Sequence, residues 1–320
     1  MTVYRLNIFC LLGVALFACG QSGEKTTGNM SPGLLPVDTL KRIDTHIHLY
    51  DTRREPVVFP SPKNKQIYFP HLEPEFKNTA NPAGVQFAVV VEASPLREDN
   101  FWLMAHIDTS ASLLGFIANL DPRDPMFAQD IDSLSGYDKF SGIRIRPGNP
   151  IDLSDPEIHN RFIELEKRQL VLELEFNHID IEWQTVIYIA RKFPKMNIVI
   201  DHVAAVKFTD GKVQMEGFED GLKLLASAPN VYCKISALYG KSGITPAPTD
   251  EAFYRPLIDP VVDAFGIERV MFGSNWTLSA LRGTYTDMIE MYDAYLEYRT
   301  DLPPQNLYFK NAVRAYGLFP

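Results

Sequence analysis

Two arginines at alternate positions have a spacing that suggests substrate binding. Arg144 and Arg146 end the run Gly142-Ile143-Arg144-Ile145-Arg146. Alternate residues of an extended strand project to the same face, so both guanidinium groups should face one site. A guanidinium group binds a carboxylate through two parallel hydrogen bonds, which would suit an acidic substrate. The alternative is structural pairing of both arginines with Glu92 or Glu173.

Histidines and acidic residues end several other apolar runs. His46 and His48 follow Ile43, His202 follows Ile198-Val199-Ile200-Asp201, and Gly273-Ser274-Asn275-Trp276 ends a run near the end of the chain. His46 and His48 are two residues apart, so both imidazoles should project into the same site as the residues that end the other runs.

Two further charged residues at strand ends are assigned to substrate binding. Glu173 and Lys234 each end a predicted strand, as do the two arginines, and a carboxylate at such a site can have its pKa raised by burial or lowered by a neighbouring arginine. The alternative is that Glu173 forms a buried ion pair with Lys234 or an arginine.

The elements that must position these side chains alternate regularly between strand and helix. Amphipathic helical patterns, with apolar residues three and four apart, lie between short β-branched runs. Eight strands are predicted: Ile43–His48, Val85–Glu92, Leu113–Ala118, Gly142–Arg146, Leu170–Glu175, Asn197–Asp201, Asn230–Ser236 and Arg269–Gly273. A doubly wound sheet would give the same alternation. Polar groups at six strand ends favour an α/β fold of the (β/α)8 TIM barrel type, whose catalytic groups lie at the carboxyl ends of the strands.

The order of the motifs resembles the amidohydrolase-related family. Asp44-Thr45-His46-Ile47-His48 is similar to the D-x-H-x-H of the first barrel strand in that family, Asp201-His202 to its strand-six signature, and Gly273-Ser274-Asn275-Trp276 to its closing G-S-D-W. Together with Asn311-Ala312 and Tyr316 in the last helix, these motifs resemble the branch that contains sugar-lactone hydrolases and the pyrone-dicarboxylate lactonase. The resemblance covers nearly all of residues 42–317 and implies a barrel of the metal-dependent-hydrolase type.

The resemblance also implies the catalytic groups. His46, His48 and His202 would either hold one divalent metal ion, zinc or similar, or polarise a lactone carbonyl directly without a metal. Asn275 stands where the family has the aspartate that takes a proton from water, and an amide cannot do so. Asn275 would then position water or substrate, and a substitute base is sought among Glu92, Glu173 and Glu175, of which Glu175 could equally ligate a metal.

We therefore expect a hydrolase that opens a small cyclic ester, such as a sugar-acid lactone or a similar carboxylated substrate. Two alternatives stay open. One is a catalytically silent barrel that binds a ligand, which Asn275 favours, and the other is a related metal-dependent decarboxylase.

The N-terminal residues predict export. An apolar run precedes Leu16-Phe17-Ala18-Cys19, which resembles the lipobox of bacterial lipoproteins, so we expect residues 1–19 to be a signal peptide with lipidation at Cys19. The alternative is an ordinary secretory signal cleaved elsewhere. Residues 20–40 would be a flexible tether and residues 41–320 the barrel. The expected location is the cell envelope, lipid-anchored on the periplasmic or extracellular side.

Charge and composition limit the partners. With 31 basic and 40 acidic side chains in 320 residues, the net charge is −9, which argues against nucleic acid and leaves membrane contact to the lipid alone. Cys233 would be the only ordinary thiol of the mature chain, so no intramolecular disulfide is expected. The expected partner is a small-molecule substrate.

Residues 51–84 contain six prolines, which exclude one continuous helix or strand, and we expect this segment to fold over the site as a lid.

Overall fold

The computed structural model describes residues 40–146, 151–175, 183–206, 208–214 and 216–319, and within them the predicted barrel is confirmed. Eight parallel strands pair in the order β1-β2-β3-β4-β5-β6-β9-β10, and β7 and β8 form a separate hairpin. The barrel strands are β1 Ile43–Ile47, β2 Phe87–Val91, β3 Leu113–Asn119, β4 Phe140–Ile145, β5 Val171–Leu174, β6 Ile198–Ile200, β9 Val231–Ser236 and β10 Val270–Gly273, and the hairpin strands are β7 Phe208–Thr209 and β8 Lys212–Val213. All eight predicted barrel strands are present.

The described residues also contain ten α-helices. They are α1 Glu73–Ala80, α2 Arg97–Asp108, α3 Phe127–Leu134, α4 Pro156–Lys167, α5 Trp183–Lys192, α6 Phe218–Ala226, α7 Leu238–Lys241, α8 Glu251–Phe265, α9 Tyr285–Tyr298 and α10 Asn311–Tyr316. Five helices were predicted from apolar periodicity. Helix α8 has the bounds predicted for it, residues 251–265. The other four helices, α4, α5, α6 and α9, differ by one or two residues from their predicted ranges, which are 156–168, 182–192, 218–228 and 284–296.

The first and last barrel strands meet through backbone hydrogen bonds at their carboxyl ends. The amide of Asn275 donates to the carbonyl of His46 at 2.9 Å, and the amide of His48 donates to the carbonyl of Trp276 at 2.7 Å. Ile47 and Trp276 form a parallel bridge. The barrel is thus nearly closed, and its closure brings the two sequence motifs at residues 44–48 and 273–276 side by side.

Apolar side chains fill the space on both sides of the strands. One cluster lies between the barrel and its helices. A second fills the barrel interior, where Val89, Val199 and Met271 meet Ala312 and Tyr316 of helix α10. Helix α10 therefore closes the end of the barrel formed by the amino ends of the strands, and the polar side chains collect at the opposite end, which we call the mouth.

The segment 51–84 folds back towards the mouth and contains a helix that was not predicted. Tyr50 pairs with His71 through two backbone hydrogen bonds of 2.9 Å, and the ring of Phe59 lies 6.1 Å from that of His48. Helix α1 carries Pro74 in its first turn, where proline costs no backbone hydrogen bond. The prolines exclude a continuous element, as expected, but they permit this short one.

Residues 1–39 lie outside the described residues, and with them the predicted signal peptide, Cys19 and nearly all of the tether. Within the described part of the chain, Cys233 is a free, buried thiol. The helices that the structure describes include none with the length and apolar character to cross a bilayer.

Candidate active site

Three histidines from two distant parts of the chain meet at the mouth. His46 lies in β1, His48 follows the end of β1, and His202 follows the end of β6. The ring of His46 lies 5.0 Å from that of His48 and 4.5 Å from that of His202, measured between centroids. All three side chains are buried. The structure therefore brings together the three histidines that the sequence singled out.

The backbone that presents His202 is strained. His202, Val203 and Ala204 have φ angles of 54°, 50° and 57°, which is the left-handed region that non-glycine residues seldom adopt. Oγ of Ser236, at the end of β9, accepts a hydrogen bond from the amide of His202 at 3.2 Å and lies 2.8 Å from its Nδ1. Ser236 thus holds both the turn and the ring, and leaves Nε2 of His202 directed away from β9.

One nitrogen of His46 has no hydrogen-bond partner. Its Nδ1 lies 3.2 Å from Nζ of Lys234 and 3.3 Å from Oδ1 of Asp201, whereas its buried Nε2 is unpartnered among the described residues. Burial, followed by the charge of Lys234, lowers the pKa of His46 well below its usual value, so the ring is neutral. If Lys234 donates to Nδ1, then Nε2 carries the proton and can donate. If Nδ1 keeps the proton and faces Asp201, then Nε2 offers a lone pair.

His48 lies between a backbone carbonyl and the residue that departs from the family pattern. Nδ1 of His48 is 3.1 Å from the carbonyl oxygen of Val91, and Nε2 is 3.1 Å from the side-chain oxygen Oδ1 of Asn275. Burial, and then the charge of Arg144, lower the pKa of His48 to about 4. The neutral ring keeps its proton on Nδ1 for the Val91 carbonyl, so Nε2 must accept, and the hydrogen bond with Asn275 is complete when the amide presents its NH2 group.

Asp201 joins the histidines through a set of cations. Nε of Arg144 donates to its Oδ2 at 2.8 Å, and Nζ of Lys234 lies 3.2 Å from its Oδ1. Burial alone would raise the pKa of Asp201, but the charges of Lys234 and Arg144 and the hydrogen bond from His46 outweigh it and hold the pKa well below its usual value. Sequence reasoning left this carboxylate out of the site, although its position directly before His202 at a strand end was a usable signal.

Arg144 and Arg146 both contact Glu92. Arg144 donates from Nη1 to Oε1 of Glu92 at 3.2 Å, and Arg146 donates from Nε to the same oxygen at 2.7 Å and from Nη2 to Oε2. Nη2 of Arg144 also lies 3.4 Å from Nε2 of His202 and 3.2 Å from Oε2 of Glu175. The guanidinium of Arg144 is thus surrounded by protein groups, and that of Arg146 is half-buried. The pairing with Glu92 is the arrangement that the sequence offered as the alternative to substrate binding.

Lys234 and Glu173 form an ion pair beneath the histidines. Nζ of Lys234 lies 2.7 Å from Oε1 of Glu173, and the hydroxyl of Tyr316 donates to that oxygen at 2.5 Å. Burial raises the pKa of Glu173 to about 7, and the charge of Lys234 limits the rise. Both charged side chains are fully buried, so they reach a ligand at the mouth only through His46.

A divalent cation would fit the donor set of the mouth. His46, Asp201 and His202 offer ligand atoms that all lie within 4.8 Å of one another. The unpartnered Nε2 of His46 is the kind of buried atom that a metal would satisfy, and imidazole and carboxylate donors suit zinc. This set contains Asp201 where the sequence prediction had His48, both of whose ring nitrogens have protein partners. Glu175 is not part of the set.

Known proteins share sequence motifs and fold with this chain. The amidohydrolase family model matches residues 43–318. A protein of Burkholderia ambifaria named L-fucono-1,5-lactonase is 28% identical over 260 residues, which cover 80% of this chain and 85% of that protein.

Two solved structures share the fold. An amidohydrolase from Burkholderia multivorans, solved with bound zinc, has a TM-score of 0.70 at 20% identity and covers 87% of this chain and 99% of its own. A putative 2-pyrone-4,6-dicarboxylic acid hydrolase from Pseudomonas putida has a TM-score of 0.64 at 19% identity, with 87% and 98% covered.

Proposed function

The chain belongs to the amidohydrolase family, and from that membership we propose that it is a hydrolase that opens small cyclic esters, with sugar-acid lactones as its substrate class. The observation that carries the proposal is the buried, unpartnered Nε2 of His46 beside His202 at the mouth of the barrel. The relative named L-fucono-1,5-lactonase supports the choice of a sugar-acid lactone.

The contacts of His46 supply the means to polarise a carbonyl. Lys234 donates to Nδ1, so Nε2 carries the proton and donates it in a hydrogen bond to the carbonyl oxygen of the substrate. When water adds to the carbonyl carbon, this oxygen becomes negative, and a fixed donor in a buried site stabilises that charge more than it stabilises the ground state. The cations Lys234 and Arg144 next to the histidines add to the same effect.

Arg146 is the cation placed to orient the substrate. Glu92 holds its guanidinium by two hydrogen bonds, and 35% of its side chain is exposed at the mouth. Arg144, by contrast, has 4% of its side chain exposed and binds Asp201 and Glu92. A hydroxyl-rich or carboxylated substrate would therefore contact Arg146 first, while Arg144 fixes the groups around it.

A single divalent metal, zinc or a similar cation, is part of the proposal as a second way to polarise the carbonyl. His46, Asp201 and His202 would hold it, and it would act as a Lewis acid towards the carbonyl oxygen. In that state His46 keeps its proton on Nδ1, where Asp201 lies 3.3 Å away. The two tautomers of His46 thus correspond to the metal-free and the metal-bound site.

The test is a turnover screen with a panel of sugar-acid lactones, including L-fucono-1,5-lactone, in which acid release is followed at constant pH. The wild type should turn over at least one lactone, and His202→Ala should abolish the activity. Metal analysis of the same preparations, before and after chelation, decides between the two tautomers. No turnover of any lactone by the wild type would refute the proposal that this chain is a lactone hydrolase.

A ligand-binding barrel without catalysis is the second candidate, and Asn275 is the residue that favours it, because an amide cannot act as a base. It predicts that a sugar acid or its lactone raises the melting temperature without turnover. A related decarboxylase would instead release carbon dioxide from an aromatic or sugar carboxylate, which a second screen with carboxylate substrates and detection of carbon dioxide tests.

We also propose that the chain is a lipoprotein of the cell envelope, anchored through Cys19, and this rests on the sequence alone. Fatty-acid labelling of the wild type and Cys19→Ala in a bacterial host tests it. Label on the wild type that is absent from the variant would support the anchor, and equal labelling of both would refute it.

A further inference from the structure

We propose that Glu175 is the general base that compensates for Asn275 in this chain. The inference rests on the proposed hydrolase function and names a residue that the family pattern does not supply. It follows from comparing the proton acceptors of the mouth by burial and by the partners they already have.

Two of the three glutamates near the histidines cannot reach a water molecule that attacks the substrate. Glu92 has 1% of its side chain exposed, and Arg144 and Arg146 donate to both of its oxygens. Glu173 is fully buried beneath His46, where Lys234 and Tyr316 occupy the same oxygen. Neither carboxylate has a free oxygen at the mouth, so neither can replace an aspartate that would meet water directly.

The other acceptors near the histidines are also engaged. Asp201 has no exposed surface and lies against Arg144, Lys234 and His46. Nδ1 of His48 keeps the proton for the Val91 carbonyl, and its Nε2, which lies 3.1 Å from Oδ1 of Asn275, accepts from that amide once the NH2 group is turned towards the ring. A lone pair that already accepts a hydrogen bond is a poor proton acceptor for water.

Glu175 differs from all of these in being open to solvent and close to the histidines. It directly follows β5, and 31% of its side chain is exposed. Its Oε2 lies 3.2 Å from Nη2 of Arg144, and that nitrogen lies 3.4 Å from Nε2 of His202. The carboxylate is therefore connected to His202 by two short contacts through Arg144, and its exposure lets a water molecule reach it. Among the described residues it is the carboxylate at the mouth that combines exposure with this proximity.

The proposed step balances with water as the only co-reactant. The carboxylate of Glu175 takes a proton from a water molecule while the water oxygen forms a bond to the lactone carbonyl carbon. The electron pair of the C=O bond moves to the carbonyl oxygen, which accepts a hydrogen bond from Nε2 of His46. The ring C–O bond then breaks, the carbonyl re-forms, and the proton on Glu175 passes to the leaving alkoxide. The product is the open hydroxy acid.

A rescue experiment tests the assignment with the purified protein and the best lactone of the panel. Glu175→Gln should lower kcat by about 100-fold or more with little change in KM, as expected for loss of a general base. Adding Asn275→Asp to that variant should restore kcat at least tenfold, because the aspartate would supply a base at the family position. Glu175→Asp keeps a carboxylate and should retain an intermediate rate.

Glu268→Gln is the matched control. Glu268 pairs with Arg314 at 2.7 Å and 56% of its side chain is exposed, far along the chain from the histidine motifs, so the same chemical change there should leave kcat within twofold. A Glu175→Gln variant within twofold of wild type would overturn the proposal, as would a loss that Asn275→Asp does not restore. Turnover by Asn275→Asp but not by wild type would overturn both the hydrolase function of this chain and Glu175 as its base, and would show that only the scaffold of a hydrolase remains. No turnover by either would overturn both proposals.

Discussion

The side-chain amide of Asn275 lies 3.1 Å from Nε2 of His48, so the one residue that departs from the family pattern directly contacts a histidine of the site. An amide at position 275 can turn its NH2 group towards Nε2, so a neutral His48 that keeps its proton on Nδ1 can still accept a hydrogen bond there. With a carboxylate there, the same nitrogen would have to carry a proton to make a favourable contact. The substitution therefore affects the charge of His48 as well as removing a base.

Asn275→Asp should raise turnover of a lactone at least tenfold. The new carboxylate can take a proton from water, and a tenfold gain corresponds to about 1.4 kcal/mol of transition-state stabilisation. It should also raise the pKa of His48 from its value of about 4, because an anion beside the ring favours the imidazolium. Steady-state kinetics and histidine NMR titrations measure the two effects.

Asn275→Ala is the control for that change, since it removes the amide and adds no base. It should show no gain in kcat. Equal rates for Asn275→Asp and wild type on a lactone that measurably binds would contradict the prediction and mean that the rest of the site has diverged.

Tyr316→Phe should reduce both stability and turnover. Its hydroxyl is one of two donors to Oε1 of Glu173, and Oε2 of Glu173 has no partner among the described residues. Removing a donor from a buried carboxylate costs about 1–3 kcal/mol. Because Glu173 holds Lys234, and Lys234 contacts His46, kcat should also fall. Urea denaturation and steady-state kinetics provide the measurements.

Tyr308→Phe is the matched control. The hydroxyl of Tyr308 also donates to a carboxylate, at 2.9 Å from Asp293, but 40% of the Asp293 side chain is exposed and can bind water instead. The variant should lose less stability and keep its kcat. Equal losses of kcat in both variants would show that Tyr316 has no particular link to the site.

The barrel was predictable because its strands are short β-branched runs that end in polar residues, and the histidines because they stand at those ends. The role of Asp201 was not, since a carboxylate becomes part of the site only when the barrel places Arg144 and Lys234 against it. Helix α1 was not predicted because the number of prolines in residues 51–84 was taken as evidence against a helix. The effect of a proline on a helix depends on its position, and Pro74 lies in the first turn of α1. The two features that were not predicted therefore depend on a contact between residues distant in the chain, for Asp201, and on the position of one residue within a turn, for α1.

Glu173→Gln should change how stability depends on pH. Burial, offset in part by Lys234, raises the pKa of Glu173 from 4.5 to about 7. Its protonated form thus favours folding, a contribution that is complete below pH 4.5 and is lost as the pH rises through 7. The stability difference between wild type and Glu173→Gln should therefore shift against the wild type as the pH rises from 4.5 to 8.

Urea denaturation across that pH range measures the shift, and Glu268→Gln is the control. Hydrogen bonds from Arg314 and Asn306 lower the pKa of Glu268 below its usual 4.5, so from about pH 6 upwards it is ionised in both the folded and the unfolded state. The difference between wild type and Glu268→Gln should stay constant there. A constant difference for Glu173→Gln as well would mean that the Glu173 carboxyl group has no raised pKa.

Gly273→Ala should damage the site through His46. A Cβ atom at position 273 would lie 2.9 Å from Cβ of His46 and 3.1 Å from Cβ of Ser236, both too close and both fixed to strands. Overpacking of this kind costs about 1–3 kcal/mol, and displacing His46 and Ser236 would separate His46 from His202. Gly240→Ala has open space around the new atom and should be neutral in stability. Thermal melts and lactone kinetics on both variants check this, and full activity of Gly273→Ala would show that the placement of His46 does not limit turnover.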